Sequence, residues 1–598
     1  MHDLVVRGGT VIDGTGTVGA RTADIAVDGD LIVAVGRVPD RGRREINADG
    51  LIVTPGFVDL HTHYDGQATW DPVLAPSAVH GVTTVALGNC GVGFAPARPD
   101  THDWLIGLLE GVEDIPGTAL SEGLTWQWES FPDYLNALDT LRRTIDVGAH
   151  LPHAALRTYV MGERGADPMQ HPDDGEVTAM AQLVTQALQA GAMGFATSRT
   201  ELHRTKAGQR LGTLRAGDAE LMAVAEAMRR HGSGVVQLVS DMYLSPDDAF
   251  VDAELALVEA LSRASGRPLS FTVQQNASAP ERWRYLFDRL DGWQMQGLDI
   301  KAQVAPRPIG VLLGLDATLN PFLRCASYRE VAELTAADRA VALGQPERRR
   351  RVLAEHADLV GRLPAGLAQD IAGAFHNMFL LADPVDYDFD RADSLGMRAQ
   401  RAGQDPTAVV LDTLLLHKGT QLLYMPLANF VHGNLDDVRA MITAPFAMYG
   451  LSDAGAHCGT VCDASSTTSY LTVWARDRRR DGGRDGNGDT AIPIERVVHQ
   501  LTRRTAQHAG WLDRGVLAPG YLADLNVIDF EALGCHPPRI VRDLPAGGRR
   551  LVQAADGYRW TVKSGELTFV NGVDTGARPG TVVRRSQTDP TGSNAHVR

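Results

Sequence analysis

Residues 51–63 read LIVTPGFVDLHTH, and this stretch decides how the fold is interpreted. The apolar, β-branched run at 51–58 predicts a strand that leads directly to His61 and His63. Residues two apart on a strand point to the same side, so both imidazoles can face one ion. Two ordinary histidines in a turn are the alternative, but a His pair placed directly after an apolar strand favours a metal site.

Seven further apolar segments repeat the pattern of a strand followed by a helix. They are residues 83–88, 145–151, 192–198, 234–239, 269–274, 298–304 and 446–451. Helical stretches such as 175–189 and 218–230 lie between them. Eight strands alternating with helices predict an α/β fold, a TIM-type (β/α)8 barrel. Such barrels carry their chemistry at the carboxyl ends of the strands, which is where His61 and His63 lie.

The two ends of the chain differ from this middle. Short alternating runs split by Gly, Asp and Asn predict strands in residues 1–54 and again in 515–598. We therefore predict one small β-sandwich domain built from both ends, around a barrel of residues 55–514. Residues 308–444 are too many for a structureless loop and predict a mostly helical insertion before the last barrel strand. The Gly- and Asp-rich residues 476–489 predict a loop.

Composition restricts the class of protein. The 598 residues are 44% hydrophobic and 22% charged, as in soluble globular proteins, and the net charge of −16 disfavours a nucleic-acid partner. No apolar run reaches the ~18 residues of a membrane span, and the first residues do not resemble a secretory signal. The five cysteines are too few and too scattered for a disulfide framework. We predict a cytoplasmic protein that acts on a small molecule, and leave a homo-oligomer open.

Two more residues are candidates for the His pair's site. Asp453 ends the apolar run at 446–451, where a carboxylate can hold an activated water and move its proton. A turn-capping role is the alternative for this residue alone, and the His pair on another strand favours the metal site. Cys90 lies in the sequence GNCGVG at 88–93. It is either a thiolate ligand or a small buried residue in a glycine turn, and spacing alone leaves both interpretations open.

The quoted motifs resemble a known family. Residues 56–63, GFVDLHTH, and the ADLNVID segment at 523–529 resemble the amidohydrolase superfamily. Within it, residues 80–84, 88–96 and 452–457 resemble the N-acyl-D-amino-acid deacylase (D-aminoacylase) group. The resemblance runs from the first strand to Arg584. It implies a barrel, a β domain built from both ends of the chain, and a catalytic zinc ion.

The resemblance also implies roles for individual residues. His61 and His63 match the ligands of the first strand, Cys90 the thiolate ligand of the second, and Asp453 the carboxylate of the eighth. Asp453 is therefore predicted to be both a metal ligand and the catalytic residue.

One feature departs from the group, which normally has histidine ligands at the ends of strands five and six. Here these regions read VQLVSD at 236–241 and VQQN at 273–276, without histidine. Because Gln is a poor zinc ligand, we expect one tight ion per chain, zinc before any other divalent metal. Candidates to replace the missing ligands are Gln237, Asp241, Gln275, His153, His203 and His457.

Arginines are candidates for substrate binding, because a planar guanidinium clamps a carboxylate with two hydrogen bonds. Arg199 and Arg307 each follow a barrel strand directly, and Arg157 follows His153 at helical spacing. We predict that these residues bind substrate together with His203. An ion pair at the barrel rim is the alternative for each arginine.

The predicted function is a zinc-dependent hydrolase that cuts a C–N amide bond outside peptide chains. Deacylation of an N-acyl-(D-)amino acid or a similar small amide is favoured. The missing histidines keep open the same fold acting on a lactone or cyclic amide, or as a non-hydrolytic metal-dependent biosynthetic enzyme. A non-catalytic binding protein is the other alternative, against which the combination of His61, His63 and Asp453 argues.

Overall fold

A computed structural model describes residues 1–364, 366–478, 490–584 and 587–590. Its centre is an eight-stranded sheet in which all neighbours pair in parallel. The first and last strands approach each other beyond their carboxyl ends, where Thr62 pairs with Ala454. In chain order the strands are Phe57–Asp59, Val82–Leu87, Asp146–Pro152, Gly194–Arg199, Val235–Ser240, Leu269–Thr272, Ile300–Val304 and Ala447–Tyr449. The predicted (β/α)8 barrel is confirmed.

Helices follow the strands and cover the outside of the barrel. The main ones are His102–Glu113, Gly117–Gly123, Phe131–Thr140, His153–Met161, Asp174–Ala190, Asp218–His231, Asp248–Ser265, Arg282–Met295, Ile494–Leu501 and Arg503–Ala509. Local sequence sets their ends: Asp174–Ala190 begins with a capping box between Asp173 and Glu176 and ends at Gly191, whose φ is 106°. The apolar faces of these helices pack on the strands and form the largest apolar core of the protein.

The first predicted strand is in fact two strands. Ile52–Pro55 pairs with Leu525–Ile528 outside the barrel, whereas Phe57–Asp59 is the first barrel strand. Gly56 separates them, and a Cβ at this position would lie 2.3 Å from the Thr83 hydroxyl oxygen. Only glycine fits so close a contact. An apolar run carries no sign of such a contact, which explains why the sequence suggested one strand.

The two ends of the chain form one nine-stranded sheet beside the barrel. Eight strands follow one another in the order Val573–Asp574, Glu566–Val570, Tyr558–Lys563, Leu525–Ile528, Ile52–Pro55, His2–Val11, Arg21–Asp28 and Leu31–Gly36, and Gly42–Asn47 pairs with His2–Val11. Val6, Ile25, Val53 and Val527 are members of its own apolar cluster. A two-stranded hairpin, Arg539–Leu544 with Gly548–Val552, extends from the C-terminal part.

An insertion with its own core separates the last two barrel strands. Its helices are Ala326–Arg329, Ala336–Gly344, Pro346–Val360, Leu367–Gly373, Leu395–Ala402, Pro406–Leu414, Leu416–Gly419 and Asp436–Ile442. It also has a three-stranded sheet that the sequence did not suggest, Ile309–Leu313, Leu423–Ala428 and Phe379–Leu380. Residues 479–489 of the predicted loop lie outside the described residues. No helix in the described part of the chain is long and apolar enough to cross a bilayer.

A buried charge network joins the small sheet to the barrel. Lys563 Nζ lies 3.0 Å from a carboxylate oxygen of Asp146, on the third barrel strand, and 3.0 Å from one of Asp524. Arg514 donates a further hydrogen bond to Asp146 at 2.6 Å. Burial alone would lower the pKa of Lys563, but the two carboxylates raise it above its usual value. The ammonium group is therefore charged and holds the two units together.

Replacing Lys563 by Met should reduce the free energy of unfolding by about 3–5 kcal/mol, because two buried carboxylates lose their shared partner. Urea denaturation of the purified variant measures this. Lys206→Met is the matched control: Lys206 pairs with Glu110 at 2.8 Å on the surface. Loss of that exposed pair should change stability by less than about 1 kcal/mol. Equal effects of the two substitutions would contradict a stabilising role for the buried network.

Candidate metal centre

The mouth of the barrel brings His61, His63 and Cys90 together. Each offers one ligand atom, and these atoms all lie within 4.8 Å of one another. Cys90 Sγ is 3.3 Å from His61 Nε2. All three side chains are buried. Two imidazoles and a thiol are donors that Zn²⁺ prefers in proteins.

The backbone at Cys90 points its thiol into this cluster. Cys90 lies in the turn Asn89–Gly91 after the second strand, with φ 55° and ψ 15°. This left-handed conformation is uncommon for a residue other than glycine and is strained. Neighbouring groups fix it: the Cys90 N–H donates to Gln237 Oε1 at 2.8 Å, and Asn89 Nδ2 donates to the Thr62 carbonyl at 3.1 Å. A strained turn held in this way favours a functional thiol over an inert packing residue.

Asp453, which follows the last barrel strand, lies next to this cluster. Its Oδ1 lies 3.3 Å from His61 Nε2 and 3.7 Å from His63 Nε2. Its side chain is 19% exposed, so it is the most open of the four. Burial alone would raise the pKa of Asp453, but His63 and His61 hold it well below its usual range. The carboxylate is therefore ionised at neutral pH.

The same contacts shift the ionisation of Cys90 and His61. Burial alone would raise the pKa of Cys90, but His61 and His63 lower it, which favours the thiolate. Burial alone would lower the pKa of His61, whereas Cys90 and Asp453 raise it to about 9. The cluster thus places a positively charged imidazole between the Cys90 thiolate and the Asp453 carboxylate. A metal cation bound there would replace the proton of the imidazole.

Two side chains that the sequence analysis did not identify lie close to the Nδ1 atoms of His61 and His63. Gln303 Oε1, on the seventh strand, lies 2.5 Å from His61 Nδ1, and its Nε2 donates to Ser270 Oγ at 2.9 Å. Glu113 Oε1 lies 3.2 Å from His63 Nδ1. The Gln303 oxygen at His61 Nδ1 fixes a proton there and leaves His61 Nε2 facing the cluster, whereas Glu113 makes no hydrogen bond to His63 Nδ1 and acts on His63 through its charge. Gln303 gave a weak signal as a polar residue inside an apolar strand, whereas no motif marks Glu113.

The candidates to replace the missing ligands do not add a ligand to this group. Gln275 is turned away: its Nε2 donates to Asp437, and its Oε1 accepts from the Val431 N–H at 3.1 Å. Asp241 is occupied by Thr200 and by the Glu201 N–H.

Of Gln237, Asp241 and Gln275, only Gln237 contacts the cluster of His61, His63 and Cys90. Its side-chain oxygen accepts a hydrogen bond from the Cys90 N–H.

The predicted histidines have separate surroundings. His153 lies 2.8 Å from Glu220 and 2.8 Å from Thr197 in a fully buried network. His203 contacts Ser198 at 2.8 Å, and burial lowers its pKa to about 3, so it is neutral. His457 Nε2 lies 4.0 Å from Glu113 Oε2. None of the three belongs to the cluster of ligand atoms.

The three predicted arginines are already paired with carboxylates of the protein. Arg199 Nε and Nη2 donate to both oxygens of Glu254, at 2.9 and 2.7 Å. Arg307 Nη2 donates to Asp463 at 2.5 Å, and its guanidinium carbon lies 3.8 Å from the centre of the Tyr387 ring.

Arg157 donates to Glu220 and to two carbonyl oxygens. Their contacts do not support the predicted substrate clamp, because the bidentate position that a substrate would need is taken.

A small cavity opens beside Asp453. Residues 453–465 form one wall, and the hairpin residues 550–553 form another. Leu551 N–H donates to the Cys458 carbonyl at 2.7 Å, which fixes the hairpin against the barrel loop. A small molecule placed here would lie next to the open side of Asp453.

Known proteins resemble this chain over most of its length. The family model described as amidohydrolase family matches residues 44–569. An uncharacterised protein of Mycobacterium tuberculosis is 28% identical over 560 residues, covering 88% of this chain and 84% of that protein. D-aminoacylase of Alcaligenes xylosoxydans xylosoxydans is 36% identical over 196 residues, covering 33% of this chain and 37% of that protein.

Solved structures share the fold. A crystal structure of D-aminoacylase has a TM-score of 0.63 and 22% identity, covering 98% of this chain and all (100%) of that one. N-acyl-D-glutamate deacylase from Bordetella bronchiseptica, complexed with zinc and a phosphonate inhibitor, has a TM-score of 0.59 and 24% identity, covering 98% and 99%. Since the family model spans the barrel and strands from both ends of the chain, the protein belongs to the amidohydrolase family.

Proposed function

We propose that this protein is a metal-dependent amidohydrolase that removes the acyl group from an N-acyl-amino acid or a similar small amide. The observation that carries the proposal is the group of His61, His63 and Cys90 with Asp453 at its open side. Two partial relatives are named D-aminoacylase and N-acyl-D-glutamate deacylase, at 36% and 37% identity. These names support an N-acyl-D-amino acid as the favoured substrate.

The donor set fits a zinc ion. Thiolate, imidazole and carboxylate are all common zinc ligands, and catalytic sites leave one position open to substrate. His61, His63, Cys90 and Asp453 would hold the ion. We propose one ion per chain, because Gln237 and Gln275 use their oxygens for backbone N–H groups. Such an ion supplies Lewis-acid activation of water and of the substrate carbonyl.

The residues of the chain then handle the proton. Asp453 would accept a proton from the attacking water at a carboxylate oxygen and deliver it to the nitrogen of the leaving amine. Gln303 keeps the His61 imidazole in one orientation through its contact with Nδ1, so that this geometry does not have to form during the reaction. The cavity beside Asp453 would hold the acyl group or the amino-acid side chain.

A second candidate function is supported by the arginines. Arg157, Arg199 and Arg307 are all engaged with carboxylates of the protein, so none offers a free clamp to a substrate carboxylate. A substrate without a free carboxylate, such as a lactone or a cyclic amide, would not need one. Both candidates use the same metal centre and the same proton acceptor.

A substrate panel with metal control separates these candidates. The purified protein is loaded with zinc and assayed against N-acetyl-D- and L-amino acids, lactones and cyclic amides. We expect turnover of N-acetyl-D-amino acids that disappears after chelation and returns with Zn²⁺.

Turnover of lactones or cyclic amides alone would replace the first candidate by the second. A protein with one bound zinc that turns over no member of the panel would contradict both and favour a binding role.

A further inference from the structure

We propose that Gln237 donates a hydrogen bond from its side-chain nitrogen to the oxygen of the scissile carbonyl group and stabilises the negative charge that develops there. This inference rests on the proposed function and adds a catalytic residue to the same site. Gln237 lies on the fifth barrel strand, where the resemblance to the deacylases implies a histidine ligand. The structure assigns this position a hydrogen-bond donor in place of a metal ligand.

The carboxamide of Gln237 lies against the residue that carries the thiol. Its Oε1 accepts the Cys90 N–H at 2.8 Å, and Cys90 Sγ lies 3.3 Å from His61 Nε2. The side chain is 1% exposed, and its hydrogen bond from the Cys90 N–H places its carboxamide at the barrel mouth. A carbonyl group bound at the cluster would therefore lie next to Gln237.

The hydrogen bond from Cys90 decides which end of the carboxamide is oxygen. A side-chain NH₂ group facing the Cys90 N–H would place two donors together, so the oxygen must be on that side. The nitrogen of Gln237 then points elsewhere in the barrel mouth, and it has no acceptor among the described residues. Buried donors normally have a partner, and a substrate carbonyl oxygen would provide one.

Gln275, which follows the sixth barrel strand, does not have an unpaired side-chain nitrogen. Its nitrogen donates to Asp437, and its oxygen accepts from the Val431 N–H. Both ends of Gln275 are therefore satisfied within the protein. Of the two positions where the resemblance implies histidine, the fifth strand alone retains an unpaired donor.

The Gln237 side-chain NH₂ group acts at the step in which negative charge develops on the carbonyl oxygen of the substrate. As the water oxygen bonds to the carbonyl carbon, the π electrons of the C=O group move onto its oxygen, and Asp453 takes the proton of the water. When the C–N bond breaks, those electrons re-form the C=O group, and the nitrogen leaves with the proton from Asp453. A fixed donor that meets the transient negative oxygen typically contributes about 10²–10³-fold in rate.

The test replaces Gln237 by Met, which has a similar length and cannot donate. The amide that the wild type hydrolyses fastest is used as substrate, and its phosphonate counterpart, with tetrahedral phosphorus in place of the carbonyl carbon, is used as a binding probe. We expect kcat/KM to fall by about 10²–10³-fold with KM and zinc content close to wild type. The affinity for the phosphonate should fall by the same factor, since the probe reports binding of the transition state.

Two further variants separate catalysis from support of the Cys90 turn. Gln237→Glu keeps an oxygen for the Cys90 N–H but removes the donor, so we expect it to keep zinc and lose turnover. Gln275→Met, a buried glutamine outside the site, should change the melting temperature rather than kcat/KM.

Unchanged kcat/KM in Gln237→Met with zinc retained would overturn the proposal. Loss of zinc in Gln237→Met, with zinc and turnover both kept in Gln237→Glu, would also overturn it, because the side chain would then only support the turn. A wild type that hydrolyses no amide would refute the proposed function, and this inference with it, before any variant is compared.

Discussion

Replacing Asp453 by Asn should lower turnover by about 10²-fold or more, and the melting temperature should change little. Asn keeps the shape of the side chain, but it can neither carry the negative charge nor accept a proton. The backbone contact to the His61 carbonyl, 3.1 Å from the Asp453 nitrogen, remains in the variant. Asp453 has φ 45°, a conformation that Asn tolerates as well as Asp, so the fold should be kept.

Turnover and melting temperature measured on the same preparation decide the role of Asp453. If it were only a turn-capping residue, both the melting temperature and the turnover per folded molecule would be kept, because Asn caps a turn about as well as Asp. Asp529→Asn is the matched control, because Asp529 is 26% exposed and pairs with Arg559 at 2.7 Å, away from the barrel mouth. That variant should keep its turnover. An equal loss in both variants would show that the effect of Asp453→Asn is unspecific.

The double variant His61→Ala/His63→Ala should purify as a folded protein with almost no bound zinc. Two of the four proposed ligands are removed, whereas the apolar contacts between strands and helices remain, because the ligands lie at the barrel mouth. Elemental analysis of the purified protein measures the metal, and circular dichroism checks the fold.

His153→Ala is the control for the loss of a buried histidine. His153 is as buried as the two ligands, but it pairs with Glu220 outside the cluster. This variant should lose stability and keep its zinc. Undiminished zinc in the double variant would remove His61 and His63 from the proposed metal centre.

The barrel could be predicted because its signals are local. Each strand is a short apolar run, and His61 and His63 are two residues apart, so the sequence shows their common direction directly. The turn at Cys90 was visible as a glycine-rich segment, although its left-handed backbone was not. Spacing along one strand is enough to predict that two side chains lie on the same side of it.

The surroundings of the site could not be predicted, because they depend on which distant residues meet. Nothing near Arg199 or Arg307 in the sequence shows that Glu254 and Asp463 lie opposite them. The hydrogen bond between His61 and Gln303 joins the first and seventh strands, which only the closed barrel brings together. Local patterns therefore predicted which candidate ligands lie together and missed the groups that contact them.

The closure of the barrel has a consequence for how the chain folds during synthesis. Ser452 donates a hydrogen bond to the His61 carbonyl, although the two residues are 391 positions apart in the chain. The strand Ile52–Pro55 pairs with Leu525–Ile528, which is synthesised much later. Contacts of such long range form slowly. Before they form, the first barrel strand has an unpaired edge and apolar residues that are exposed to other chains. We expect the yield of soluble protein to rise with lower growth temperature and with added chaperones. Zinc capture by the four proposed ligands would be a late event, so bound zinc would mark the chains that have finished folding.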